Sequence, residues 1–162
     1  MIKILNILHY SIYLIHYKLH LLANKINPFR LLHKLPMQKK KYEELGIDID
    51  QEVDSAFSDR NHGLSVLVSG GVLISILFLL IFVLFQLITK LLSIKVVLTT
   101  YIFIAFAVLS FMICYIFVFQ KSKYLSYFEK FDNWTKQKKN MYVMLSIIFM
   151  VLIVFLFFIN LY

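Results

Sequence analysis

The sequence predicts an all-α integral membrane protein: three transmembrane helices, the first two paired as an antiparallel hairpin, behind an N-terminal amphipathic interfacial helix. Three observations predict it. Residues 63–89, 96–119 and 141–162 contain no Asp, Glu, Lys, Arg or His. Each run exceeds the roughly 20 apolar residues that cross a hydrocarbon core about 30 Å thick. Small residues recur at helical spacing in the first two runs, and charge is confined to the segments between and before them. The expected organisation is an interfacial helix over 1–27 and a charged cytoplasmic segment over 28–62. A three-helix membrane region follows over 63–162, with spans at about 64–89, 96–119 and 141–161.

The N-terminal segment has two faces. On a helix, Lys3, Asn6, His9, Tyr13, His16, Tyr17, His20, Asn24 and Asn27 share one side, while Ile4, Leu8, Ile12, Ile15, Leu19 and Leu22 share the other. A cationic amphipathic helix with aromatics suits the membrane surface, so His9, His16 and His20 are expected to face headgroups or water. Asn27-Pro28 and Pro36 are expected to break the helix. Residues 1–42 carry bases, among them Arg30 and Lys34, and no acid, whereas residues 43–59 carry acids and no base. A basic block beside a membrane points to anionic lipid headgroups as partners, not to nucleic acid, despite the net charge of +8. Neither a cleavable signal peptide nor an Arg- and Ser-rich presequence fits this stretch.

Asp48-x-x-Gln51 has the form of a capping box, and Ile49, Val53, Ala56 and Phe57 repeat at helical spacing, predicting a short acidic helix. The alternating acids Asp48, Asp50, Glu52 and Asp54 lack the glycine and distal glutamate of a calcium loop.

The first span offers Ser65, Ser69, Gly71 and Ser75 as packing positions, and the second offers Thr100, Ala107, Ser110 and Cys114. In lipid, small residues are what let helix backbones approach. Only a short loop with Lys90 and Lys95 joins the two spans, hence the expected hairpin. In the loop before the third span, Tyr124, Phe128 and Phe131 form one aromatic stripe among six lysines, which places them at headgroup level. The third span is bulky, with Phe149, Phe155, Phe157 and Phe158. Lysine counts put that loop and the N-terminus in the cytoplasm and Tyr162 outside. The expected location is the bacterial cytoplasmic (inner) membrane.

Chemistry is sparse. His16 and His20, at i and i+4, are weak candidates for a metal, with no carboxylate among the first 42 residues to assist them. The lone Cys114 excludes an intrachain disulfide. The serines of the first span have no base nearby in sequence. No cofactor and no catalysis are expected. The expected role is a non-catalytic subunit, accessory protein or inhibitor of a larger membrane protein complex. The alternative is a self-associating pore-forming or membrane-perturbing effector.

Overall fold

The computed structural model describes residues 2–27 and 35–161, leaving out the Leu161 side chain; Pro28, Arg30, Lys34 and Tyr162, to which sequence expectations were attached, lie outside the described residues. All regular structure among the described residues is helical. Three helices are long and apolar enough to cross a membrane, beginning at Leu64, Thr100 and Lys136. This is an integral membrane protein.

Helix α1 spans Ile2–Ile26. Helix α2, Pro36–Glu44, has no counterpart in the sequence expectation. Pro36 was expected to break the chain and instead opens a helix. At the first helical position its missing N–H costs no hydrogen bond, and its fixed φ suits the helix. Gly46, at φ 65°, ends α2 in the left-handed conformation that a side chain disfavours. Its N–H and that of Ile47 donate back to the carbonyls of Glu43 and Tyr42. Helix α3, Ile49–Ser58, begins where Asp48 accepts a hydrogen bond from Gln51 N–H at 3.2 Å.

Helix α4 is Leu64–Leu91 and helix α5 is Thr100–Cys114. The second span was expected to begin at Val96. Residues 94–99 are instead non-helical after Ser93 turns left-handed at φ 52°, and the β-branched Ile94, Val96, Val97 and Thr99 suit extended backbone. After α5 the helix widens into a π-turn, Tyr115–Phe119, and a single 3₁₀ turn, Gln120–Ser122. Lys121 and Ser122 are both left-handed, at φ 56° and 51°. Two such non-glycine residues in a row are uncommon and redirect the chain. Helix α6, Lys123–Asp132, and helix α7, Lys136–Leu161, complete it.

The chain forms two compact units, Tyr13–Ser69 and Met1–Ile12 with Gly70–Tyr162. In the second of these, Phe82 is buried among Phe103, Phe106 and Phe157, with centroids 5.5 to 6.3 Å away. At the other end of α4 a Cβ on Gly70 would lie 3.1 Å from the Phe119 ring, so glycine permits this approach. The aromatic stripe of α6 faces protein. Tyr124, Phe128 and Phe131 are buried, because they cover the N-terminal half of α1.

Candidate functional site

In the unit Tyr13–Ser69, one turn of α1 places His16 and His20 on the same side, and one turn of α3 places Asp54 beside Phe57. The two helices meet through these four residues. The His20 ring stacks on Phe57 with centroids 3.6 Å apart and planes 6° from parallel. Its Nε2 lies 3.4 Å from Asp54 Oδ1, a loose ion pair when the imidazole is protonated. His16 Nδ1 is 3.1 Å from the Ser65 hydroxyl, and its ring also lies over Phe57. Tyr13 Oη donates to Ser58 carbonyl oxygen at 3.1 Å. Burial, and then the neighbouring His20, hold the His16 imidazole below its ordinary value.

This arrangement corrects two expectations. The first span's serines were expected to have no base nearby, yet His16 lies against Ser65, whose side chain is fully buried. The histidines were expected to face headgroups or water, yet His16 and His20 are turned to protein and His9 is fully buried. The C-terminal part of the apolar side of the same helix stays outward instead, with Leu19, Leu22 and Ile26 exposed. The reason is chemical complementarity: the polar stripe of α1 finds acids and hydroxyls elsewhere in the chain, and on its apolar side Leu8 and Ile12 are buried while Leu19 and Leu22 are not.

In the unit of Met1–Ile12 and Gly70–Tyr162, the N-terminal half of α1 makes a second polar junction. Asn6 Nδ2 donates to the carbonyls of Ile2 at 2.9 Å and Phe117 at 3.3 Å. Tyr10 Oη donates to Asp132 Oδ1 at 2.7 Å. The His9 ring sits among Phe119, Tyr124 and Phe128, with centroids 5.6, 5.4 and 5.1 Å distant. Helix ends leave carbonyls without intrahelical partners. Here Asn6 satisfies Phe117, and Lys123 Nζ donates to Ile116 carbonyl oxygen at 2.8 Å.

As for the metal candidates, no group of three or more His, Cys, Asp or Glu able to hold an ion occurs among the described residues. The packing positions divide. Ser65, Ser69, Ser110 and Cys114 are buried, whereas Gly71, Ser75, Thr100 and Ala107 are exposed. A Cβ on Gly71 would meet nothing within 4 Å, so no close contact is made at that position among the described residues. A close approach lies one residue earlier, at Gly70. Ser69, Ser75 and Ser110 each donate to a carbonyl of their own helix, on Val66, Gly71 and Phe106.

Sequence reasoning missed Asp54, Phe57, Ser65, Asp132 and the π-turn carbonyl of Phe117 as partners of α1. The available signal was that a helix rich in His, Asn and Tyr and empty of acids needs partners beyond itself. Comparison with protein-family models, with curated proteins and with solved structures found no match.

Proposed function

We propose that this protein is a non-catalytic subunit, accessory protein or inhibitor that binds a larger membrane protein through its spans. The observation that carries the reading is the exposed pair Gly71 and Ser75, one turn apart on α4. Small residues at that spacing let another helix approach closely in lipid, and among the described residues a Cβ on Gly71 would meet nothing within 4 Å. Ala107 on α5 and most of α7 are also uncovered. Asn6, Tyr10, His16 and His20 of α1, by contrast, bond within the chain, and the buried Ser65 next to His16 holds α1 rather than offering a nucleophile.

Several finer features belong to the same reading. The first two spans form an antiparallel hairpin, supported by the order of contacts: Gly70 meets Phe119 and, further along α4, Phe82 meets Phe103 and Phe106. Helix α1 lies at the cytoplasmic interface with Leu19, Leu22 and Ile26 toward lipid and its polar stripe against protein, supported by the exposure of those three residues. Its lysines meet anionic headgroups. The N-terminus and loop 120–140 are cytoplasmic, the C-terminus is outside, and the bilayer is the bacterial inner membrane.

The alternative, a self-associating pore, needs a polar face toward water. The hydroxyls of Ser69, Ser75 and Ser110 bond within their own helices, which leaves little to line one. Native mass spectrometry after mild detergent extraction from the source membrane tests the choice. A heteromeric complex is the expected result, and a defined homo-oligomer overturns it.

A further inference from the structure

A groove of about 220 Å³ runs between the start of α1 and the membrane helix α7, lined by Ile4, Ile7 and Leu8 on one side and Leu145, Ser146 and Phe149 on the other. Its remaining lining residue is Tyr142, nearest the start of α7. From Tyr142 to Phe149 the helix rises about 10 Å, so the groove is long and thin. A helix about 10 Å across does not enter such a slot, but a hydrocarbon chain does.

The end marked by Tyr142 is cationic and aromatic. Tyr142 stacks on Trp134 with centroids 4.7 Å apart, and Lys138 Nζ sits 4.7 Å from the other aromatic centroid, that of Trp134. Lys139 lies one turn before Tyr142 on α7. The first turn of α7 holds no acid, and Lys136, Lys138 and Lys139 crowd it. Helix N-termini carry a partial positive charge, so lysines there are unfavourable unless an anion answers them. Thr135 Oγ1 accepts from Lys138 N–H at 3.4 Å, a neutral cap that leaves this excess positive charge in place.

We infer that this groove binds one anionic phospholipid, its acyl chain lying between α1 and α7 and its headgroup phosphate at Lys138, Lys139 and the N-terminus of α7. The site is continuous: apolar walls, then an aromatic ring at the depth where chain gives way to glycerol, then cations. It stands whether or not a partner protein is bound, since all of its parts belong to this chain.

Trp134 is the only tryptophan and stacks on a groove residue, so its fluorescence reports the occupant. The full-length protein is reconstituted in phosphatidylcholine vesicles containing a small fraction of phosphatidylglycerol brominated on its acyl chains. Parallel vesicles carry brominated phosphatidylcholine at the same fraction. Quenching by the anionic lipid should saturate at roughly 5- to 30-fold lower fraction, the preference that one or two lysines confer at an anionic surface. The double variant Lys138→Gln, Lys139→Gln should lose that preference, and Ser146→Phe, which fills the groove, should lose it too.

Equal quenching by the two lipids in the unaltered protein overturns the proposal. So does a preference that survives the lysine variant, which assigns it to bulk surface charge. If Ser146→Phe does not fold, the lysine variant decides alone. If it folds and keeps the lipid preference while losing a co-purifying protein, the groove belongs to a partner protein and the lipid assignment falls.

Discussion

His16 is held neutral by its surroundings, and this gives the fold a pH dependence of definite sign. In the unfolded chain the group titrates near its ordinary value of 6.5, whereas in the fold it protonates only at lower pH. The unfolded chain therefore binds more protons between those two values, and stability falls as pH drops. The contribution is complete above about pH 6.5 and is lost as pH falls through and below that value. The charged groups facing His16 are His20 on its own helix and, through His20, Asp54 on α3. Thermal unfolding in detergent should show a midpoint that declines on acidification below pH 6.5, with a shallower decline in His16→Gln. An identical slope in the variant would remove the assignment. The pairing of His16 and His20 was legible from their spacing. Their partners were not, because Ser65 and Asp54 lie 49 and 34 residues away and short polar side chains carry no sequence mark of what they will touch.

At the scale of elements, the contact between α4 and the end of the second span depends on Gly70. A Cβ there meets Phe119 at 3.1 and 3.3 Å, so Gly70→Leu should destabilise the isolated protein by about 1–3 kcal/mol. Gly71→Leu and Ala107→Leu, both on exposed positions, should leave detergent stability unchanged and weaken co-purification of a partner instead. Equal destabilisation by the Gly70 and Gly71 variants would show that the close approach lies elsewhere. The spans themselves were legible, because length and the absence of charge determine them. The neighbour of each small residue was not: one step along a helix turns a side chain through about 100°, which separates a packed Gly70 from an open Gly71. The start of the second span was misplaced for a related reason. Hydropathy measures residence in the membrane, while the β-branched run before Thr100 governs backbone shape.

For the molecule as a whole, orientation is the most direct test of the topology proposed above. Ser93 and Ser126 are exposed and lie in different loops, and the native Cys114 is fully buried. In intact cells a membrane-impermeant thiol reagent should modify Ser93→Cys and spare Ser126→Cys. The reverse pattern would invert the topology. Class and span number were legible because burying charge in lipid is costly and leaves clear gaps in composition. The site on α1 was half legible. Its amphipathic pattern was plain, but which face meets protein and which meets lipid depends on partners supplied by α3, α6 and the π-turn.

The junction at Asn6 and Tyr10 has a consequence for biogenesis. Asn6 closes a carbonyl 111 residues further on, and Tyr10 bonds a carboxylate 122 residues further on. At synthesis rates of about 5–20 residues per second, those partners leave the ribosome roughly 6 to 24 s after α1 does. During that interval the N-terminal half of α1 lacks these partners, although Asp54 and Ser65, 34 and 49 residues on from His20 and His16, can already receive its C-terminal half. Its leucine face gives it somewhere to wait: it can rest on the bilayer surface until the second span arrives to receive it.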